Sequence, residues 1–175
     1  MYRVFCFASF AIAIALSASP AMAQPDGSGI IYNAYTRQCL QPADLSEGAP
    51  IIQWPCNGSF AQQWYALSPG GNVVNYQNCS SAMWLDARGT AKNGTPVQLW
   101  SYARISNQNW QPGKAGKDGI PPLISRVSGS SSYCLDVPGG EATPGLAMQI
   151  YRCNGSPSQE WLITVSPLTH SRNHP

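Results

Sequence analysis

Apolar and polar residues alternate over short runs along most of this chain, and turn-forming residues separate the runs. Gln98-Leu99-Trp100 and Gln149-Ile150-Tyr151 are two such runs, whereas Arg88-Gly89 and Pro138-Gly139-Gly140 lie in the turns between them. A period of two places alternate side chains on one face of a strand, and clusters of Gly, Pro, Asn and Ser are typical of turns. The pattern therefore predicts an all-β chain of short strands rather than helices.

The pattern occurs three times, which indicates one structural unit used three times. A Gln-x-Trp triplet recurs at intervals of 46 and 51 residues: Gln62-Gln63-Trp64, Gln108-Asn109-Trp110 and Gln159-Glu160-Trp161. Upstream segments also correspond: Cys39-Leu40-Gln41, Trp84-Leu85-Asp86 and Cys134-Leu135-Asp136. A third set, residues 52–56, 98–102 and 149–153, ends eight residues before each tryptophan. We therefore expect three repeats at about 29–68, 72–112 and 121–165.

Three repeats of this size can close around a threefold axis, so that equivalent apolar residues meet in one core. That arrangement is a β-trefoil with three internal repeats. An open solenoid of three units would leave two apolar ends uncovered, and no capping repeat is visible in the sequence. A three-bladed propeller would have fewer than the usual four blades.

The first 23 residues have the features of a secretory signal peptide. Arg3 is followed by an apolar run through Leu16, and Ala21-Met22-Ala23 is a small-residue cleavage pattern. We therefore predict a secreted, extracellular protein with one domain at 24–166 and a disordered tail at 167–175. The apolar run is shorter than the roughly 20 residues that a membrane-spanning helix needs, so no membrane insertion is expected.

Charge and composition argue against several classes of function. Without Arg3, nine basic and eight acidic side chains remain, and this near-neutral balance provides no basic surface for nucleic acid. His170 and His174 lie in the tail, so no Ser-His or Cys-His catalytic pair is expected on the scaffold. The sequence contains no phosphate-binding loop or metal-protease motif. We therefore predict a protein without catalytic activity, cofactor or metal.

Four cysteines lie at equivalent positions of the first and third repeats, which predicts two disulfides: Cys39 with Cys56 and Cys134 with Cys153. Each would close a loop of nearly twenty residues and stabilise the fold by roughly 3 kcal/mol. In the middle repeat Trp84 and Tyr102 occupy the two cysteine positions, and a ring contact can fill the space of a disulfide. Cys79 has no equivalent; it is either a buried thiol or the site of an intermolecular bridge.

The three triplets in register, with the Cys-Leu-Asp and Gln-x-aromatic segments, resemble the ricin B-type lectin family. The resemblance covers roughly residues 29–165, essentially the whole predicted domain. It implies a β-trefoil that binds sugars without chemistry. In such lectins the Asp after Cys-Leu anchors sugar hydroxyls, the aromatic residue two beyond the Gln stacks on the sugar ring, and an Asn before Gln-x-Trp adds hydrogen bonds.

Carried onto this chain, the resemblance implies two usable sugar sites. The middle repeat has every residue type of the set: Asp86, Gln98, Trp100, Asn107 and Gln108. The third repeat matches except that serine replaces the expected asparagine, which predicts a weaker site: Asp136, Gln149, Tyr151, Ser158 and Gln159. The first repeat keeps only an aromatic residue and the triplet glutamine, and we expect it to be silent: Gln41, Ile52, Trp54, Ala61 and Gln62.

Structural explanations compete with these assignments. The triplet tryptophans are most simply core residues, with the triplet glutamines two positions away on the same face of a strand, holding the site. Asp86 and Asp136 precede glycine-containing turns, where Asp commonly caps the backbone. Trp100 and Tyr151 can serve as cross-strand packing residues. The joint occurrence of carboxylate, amide and aromatic residues favours a binding role, because a sugar needs an aromatic platform and fixed polar groups.

The sequence therefore predicts a secreted lectin whose partners are glycans, of galactose/N-acetylgalactosamine type or of xylan type. Two other classes stay open. The chain could be the targeting subunit of a toxin or glycoside hydrolase with a separate catalytic chain, and an interchain disulfide at Cys79 would fit that role. Other β-trefoil proteins inhibit proteases through an exposed loop, although an inhibitor would need neither the Asp nor the aromatic set.

Overall fold

The computed structural model describes residues 27–165. The predicted signal peptide and tail lie outside the described residues. Within this range regular structure consists of strands and of 3₁₀ helices of three residues each, in agreement with the all-β prediction. A two-residue strand, β1 (Ser28–Gly29), comes first and pairs with Trp64 and Tyr65. None of the helices in this part of the chain is long and apolar enough to span a membrane.

Each repeat contributes four strands. The first repeat contains β2 (Ile31–Asn33), β3 (Gln38–Pro42), β4 (Ile51–Pro55) and β5 (Trp64–Gly70). The second contains β6 (Val73–Asn78), β7 (Trp84–Ala87), β8 (Thr95–Trp100) and β9 (Trp110–Pro112). The third contains β10 (Leu123–Ser125), β11 (Tyr133–Asp136), β12 (Gln149–Arg152) and β13 (Trp161–Ile163). The 3₁₀ helices are Phe60–Gln62, Ser106–Gln108, Val127–Gly129, Pro138–Gly140 and Pro157–Gln159.

The strand pairing closes the three repeats into a ring. The last strand of each repeat pairs antiparallel with the first strand of the next, as β5 with β6, β9 with β10, and β13 with β2. The final pairing, in which Trp161 lies opposite Asn33, joins the two ends of the domain. Because an open solenoid has no such pairing, the predicted β-trefoil is confirmed.

The hairpins β3–β4, β7–β8 and β11–β12 meet one another around the threefold axis. Backbone pairs join them in equivalent places: Pro50 with Gln98, Pro96 with Gln149, and Ala147 with Ile52. Each repeat therefore pairs with its neighbour at the position where a site glutamine, or its first-repeat replacement Ile52, is located. This contact makes the geometry of every candidate site depend on two repeats.

The three triplet tryptophans form the centre of the core. Trp64, Trp110 and Trp161 are fully buried, and each indole N–H donates a hydrogen bond of 3.0 Å to a backbone carbonyl of its own repeat. The acceptors are equivalent leucines: Leu40, Leu85 and Leu135. A buried indole N–H needs such a partner. The predicted core role of the tryptophans is confirmed.

The triplet glutamines are buried as expected, but they do not lie on strands. Each ends a 3₁₀ helix, as Gln62 ends Phe60–Gln62, and the following strand begins only at the tryptophan. The prediction that a strand places glutamine and tryptophan on one face is therefore wrong. The tight helical turn directs the amide towards the hairpin of its own repeat, whereas the tryptophan enters the core.

Both predicted disulfides are present. Cys39–Cys56 and Cys134–Cys153 each have Cα atoms 5.1 Å apart. In the middle repeat the rings of Trp84 and Tyr102 contact each other with centroids 4.7 Å apart, which confirms that an aromatic pair replaces the bridge. Cys79 belongs to neither disulfide and is only 8% exposed, which favours the buried thiol over an intermolecular bridge.

Candidate functional site

The two candidate carboxylates lie near the ends of equivalent strands. Asp86 is on β7 and Asp136 is the last residue of β11, and each is directly opposite its predicted glutamine across the hairpin. Gln98 donates from Nε2 to Asp86 Oδ1 at 3.0 Å, and Gln149 donates from Nε2 to Asp136 Oδ2 at 2.7 Å. Both carboxylates are therefore fixed by an amide from the neighbouring strand.

The triplet glutamine holds the same carboxylate from a second direction. Gln159 donates from Nε2 to Asp136 Oδ1 at 3.0 Å and to the Arg152 carbonyl at 3.2 Å, and its Oε1 accepts from the Asn154 backbone N–H at 2.9 Å. Because Oε1 is used by a backbone donor, the amide group must present its N–H donors to the carboxylate. The second glutamine therefore keeps Asp136 oriented as an acceptor.

The middle repeat has the same arrangement. Gln108 donates to the Ser101 carbonyl at 2.8 Å, accepts from the Ala103 N–H at 3.0 Å, and hydrogen-bonds the Asp86 carboxylate. Two of the three repeats thus hold a buried carboxylate between two glutamine amides. Since these amides occupy only part of the acceptor capacity of a carboxylate, capacity for further donors is left.

Burial dominates the electrostatics of these carboxylates. Removal from water raises the pKa of Asp86, although hydrogen bonds from Gln98 and Gln108 lower it in part. Burial likewise raises the pKa of Asp136, opposed by bonds from Gln149, Gln159 and Ser158. A carboxylate that is poorly hydrated accepts a charge-assisted hydrogen bond from a ligand hydroxyl with less competition from water.

An aromatic side chain lies beside each carboxylate and is partly exposed. Trp100 and Tyr151 are each 38% exposed, and the first-repeat equivalent, Trp54, is 40% exposed. Across the hairpin, Trp100 lies opposite Trp84, Tyr151 lies opposite Cys134, and Trp54 lies opposite Cys39. The aromatic pair or the disulfide therefore lies at the base of each aromatic platform, and the ring of the platform keeps a solvent-accessible surface.

A turn from the preceding repeat supports two of these platforms. Glu47 Oε1 accepts from the Ser101 N–H at 3.1 Å, immediately after Trp100. Asn93 Oδ1 accepts from the Arg152 N–H at 2.8 Å, immediately after Tyr151. Both acceptors precede a glycine in the turn before the third strand of their repeat. Sequence reasoning missed these residues.

The equivalent bond does not exist beside Trp54. The residue after Trp54 is Pro55, which has no N–H, and the residue in the position of Glu47 and Asn93 is Pro144, which has no side-chain acceptor. The site of the first repeat, which also lacks the carboxylate, therefore has neither the donor nor the acceptor of this hydrogen bond. The turn still packs there, since a Cβ on Gly145 would lie 3.5 Å from the Trp54 ring.

The residue before the triplet has a different role in the middle repeat and in the third repeat. Asn107 donates from Nδ2 to the carbonyls of Ala87 at 2.8 Å and Gly89 at 3.0 Å. Both N–H donors of its amide therefore hold the turn after Asp86. Only the amide oxygen, Oδ1, is left to contact a ligand. Ser158 replaces it in the third repeat, where its hydroxyl lies 2.7 Å from that of Ser156. The asparagine thus positions its site, a role that resemblance alone did not suggest.

The first repeat keeps the glutamine bond without the charge. Gln62 donates from Nε2 to Gln41 Oε1 at 2.9 Å, and Gln41 occupies the position of Asp86 and Asp136. Ile52 stands where the second glutamine would be and is buried. A neutral amide needs no second donor, so the apolar replacement leaves no buried polar atom behind.

A cleft of about 540 Å³ opens at the third repeat. Asp136, Gln149, Tyr151 and Ser158 line it, together with Tyr35 from the first repeat. A second cavity of about 350 Å³ lies beside Arg88 to Pro96 and contains neither Asp86 nor Trp100. The structure thus gathers all predicted third-repeat residues except the buried Gln159 around one cleft, although the sequence had favoured the middle repeat.

Within residues 27–165 no group of three or more His, Cys, Asp or Glu side chains is arranged to hold a metal ion. The chemistry that the candidate sites offer is hydrogen bonding by a carboxylate and amides beside an apolar ring. That combination suits a ligand with hydroxyl groups on one edge and a C–H surface on one face.

The model of the ricin-type beta-trefoil lectin domain matches residues 27–161. Comparison with curated proteins gives no match. Among similar solved structures, the designed threefold-symmetric protein ThreeFoil is 26% identical, with a TM-score of 0.74 over 81% of this chain and 99% of that chain. Residues 27–161 include all of the described sites.

Two natural proteins have the same fold. The exo-β-1,3-galactanase 1,3Gal43A from Clostridium thermocellum is 24% identical, with a TM-score of 0.72 over 82% of this chain, which spans only 31% of the galactanase chain. The earthworm R-type lectin C-half, solved with GalNAc, is 14% identical, with a TM-score of 0.62 over 79% of this chain and 98% of that chain. With the domain match over most of its length, this chain belongs to the ricin-type beta-trefoil lectin family.

Proposed function

We propose that this chain is a secreted carbohydrate-binding protein that recognises galactose/N-acetylgalactosamine-type or xylan-type glycans without catalysis, through its middle and third repeats. One observation carries the proposal: in these two repeats a buried carboxylate held by two glutamine amides lies beside a partly exposed aromatic ring. The family to which the chain belongs, and the GalNAc complex of the earthworm lectin, support a galactose-type ligand first.

Recognition in each site combines two contacts. The carboxylate of Asp86 or Asp136 accepts hydrogen bonds from sugar hydroxyls, and the glutamines keep it from turning away. The ring of Trp100 or Tyr151 packs against the C–H face of the same sugar. Because the polar group and the ring are both fixed before the ligand arrives, little conformational entropy is lost on binding.

Two sites on one domain raise the affinity for a multivalent glycan. We take an affinity near millimolar for a shallow single site, which corresponds to a binding free energy of only about 4 kcal/mol. Simultaneous engagement of two sites strengthens binding by roughly 10² to 10⁴ when the glycan can span them. The proposed partners are therefore polysaccharides or densely glycosylated surfaces rather than free monosaccharides.

A matched set of variants tests the proposal. Trp100→Ala and Tyr151→Ala each remove the platform of a proposed site, whereas Trp54→Ala removes a ring of similar exposure from the repeat without a carboxylate. Titration with galactose, N-acetylgalactosamine and xylotriose, followed by NMR, should show weaker binding for the first two variants and unchanged binding for the third. Equal effects of all three substitutions, or no binding by the folded wild-type protein, would contradict the proposal.

The second candidate is a targeting subunit for a separate catalytic chain. The similarity to the galactanase favours it, because this chain spans less than a third of that enzyme. The burial of Cys79 argues against an interchain disulfide as the link. Co-purification of a hydrolase or toxin chain with the secreted protein under non-denaturing conditions would support this role.

A further inference from the structure

The turn after the first strand of a repeat is attached to the preceding repeat. Asn33, at the end of β2, is fully buried and donates from Nδ2 to the carbonyls of Ser158 and Glu160, both at 3.2 Å. Its Oδ1 accepts from the N–H groups of Tyr35 at 3.1 Å and Thr36 at 2.9 Å. One buried side chain thus joins the turn that carries Tyr35 to the segment that carries Ser158.

The second repeat has the same turn with a different residue at its tip. Asn78 donates to the Ala61 carbonyl at 2.8 Å and accepts from the Ser80 N–H at 3.1 Å, as Asn33 does for its own turn. The turns also end alike, since Arg37 and Ala82 both have positive φ, at 59° and 57°. Ser80 is therefore the structural equivalent of Tyr35, and it faces the first repeat, whose site lacks the carboxylate.

Only the third site among the three has an aromatic side chain in this position. The equivalent turn of the third repeat lies next to the middle site, where its Val127 is buried in the core. Tyr35 is 60% exposed, lines the cleft of about 540 Å³ with Asp136 and Tyr151, and lies against Gly140, where an added Cβ would be 3.6 Å from its ring. The third site thus has two aromatic side chains from two different repeats.

We propose that Tyr35 provides a second sugar subsite in the third repeat, so that this site selects glycans of two or more sugar units. The inference rests on the proposed function. One unit packs on Tyr151 with its hydroxyls at Asp136, and the next unit lies against Tyr35. The cleft volume falls within the range of roughly 300–1,000 Å³ that is usual for ligand pockets.

The position of Tyr35 suits this role physically. An exposed aromatic ring loses little rotamer entropy when it packs on a ligand, and the buried Asn33 already fixes the backbone of its turn. The backbone that carries the stacking partner of the second sugar is therefore in place before binding. The middle site, with no such residue, should bind a monosaccharide and a longer glycan with similar affinity per site.

The test uses the mature protein with Asp86→Ala, so that the sugar binding that is measured comes from the third site alone. Tyr35→Ser is introduced on this background because serine occupies the equivalent turn position at Ser80, and Tyr35→Phe serves as the conservative control. NMR titrations compare galactose with lactose and xylose with xylotriose. Tyr35→Ser should weaken lactose or xylotriose binding roughly three- to tenfold and leave the matching monosaccharide unchanged, whereas Tyr35→Phe should retain the preference.

Two results would overturn the inference. Equal weakening of monosaccharide and oligosaccharide binding would mean that Tyr35 contacts the first sugar or only supports the turn. Unchanged binding of both would mean that it contacts no sugar. The proposed function fails separately: in that case the Asp86→Ala background protein binds none of these sugars, or Asp136→Ala on that background does not abolish the binding.

Discussion

Two exposed side-chain acceptors each form a hydrogen bond with the repeat that follows their own, so removing either one should weaken the sugar site of that following repeat. Glu47, in the first repeat, accepts from the N–H after Trp100, and Asn93, in the second repeat, accepts from the N–H after Tyr151. Glu47→Ala should therefore weaken the middle site and spare the third, whereas Asn93→Ala should weaken the third site and spare the middle one. Each substitution acts on the repeat that follows its own.

The magnitude follows from one hydrogen bond in each case. The bonds of 3.1 and 2.8 Å are exposed, so we take a net contribution of about 1 kcal/mol for each. If the whole contribution goes into holding the platform, affinity at the affected site falls by roughly fivefold. The unfolding free energy should fall by no more than about 1 kcal/mol, because no buried group loses its partner.

The assay is a site-resolved NMR titration with galactose, in which the resonances of the Trp100 indole and of the Tyr151 backbone report the two sites separately. Pro144→Ala is the matched control, since Pro144 occupies the equivalent turn position and makes no side-chain hydrogen bond to the next repeat. Weakening of both sites by either substitution, of the third site alone by Glu47→Ala, or of the middle site alone by Asn93→Ala would refute the reasoning.

Three further predictions concern pH, disulfides and the remaining thiol. Because burial raises the pKa of Asp86 and Asp136, glycan binding should be lost on acidification at a pH above the ordinary value of 3.8. The fold should survive that loss, since groups with a raised folded-state pKa add stability as the pH falls; circular dichroism alongside the titration checks both. Reduction of the two disulfides, whose partners are 17 and 19 residues apart, should lower the unfolding free energy by about 3 kcal/mol for each bridge, as measured by urea unfolding with and without dithiothreitol. On non-reducing gels the wild-type protein and Cys79→Ser should both migrate as monomers. A wild-type dimer band that disappears in Cys79→Ser would contradict the argument from the burial of Cys79.

Much of the fold could be predicted from the sequence because the chain repeats itself. Period-two alternation predicts strands, and three copies with apolar residues in register require closure to bury them. The disulfides and the Trp84–Tyr102 contact could be predicted because both partners change together between repeats. The family resemblance assigns Asp86 and Gln98 to one site, and the register of a single hairpin places them opposite each other.

Several of the residues that sequence reasoning missed depend on contacts between repeats. Glu47 bonds a residue that lies 54 positions later in the chain, and Asn93 bonds one that lies 59 positions later. Tyr35 lines a cleft whose other residues lie more than 100 positions later. Superposition of the repeats compares equivalent positions, so it shows what each repeat contains and not which neighbour it contacts. The glutamine positions were missed for another reason, because a three-residue 3₁₀ helix leaves no periodic signal.

The binding of the mature protein to a glycan array most directly tests the central claim, that two carboxylate-centred sites recognise sugars. The array should hold galactosides, N-acetylgalactosaminides and xylan fragments, and the wild-type protein should be compared with the Asp86→Ala/Asp136→Ala double variant and with Trp54→Ala. We predict binding by the wild type and by Trp54→Ala, and none by the double variant, with matching circular dichroism spectra for all three. Undiminished binding by the folded double variant, or no binding by the wild type to any glycan, would contradict the account.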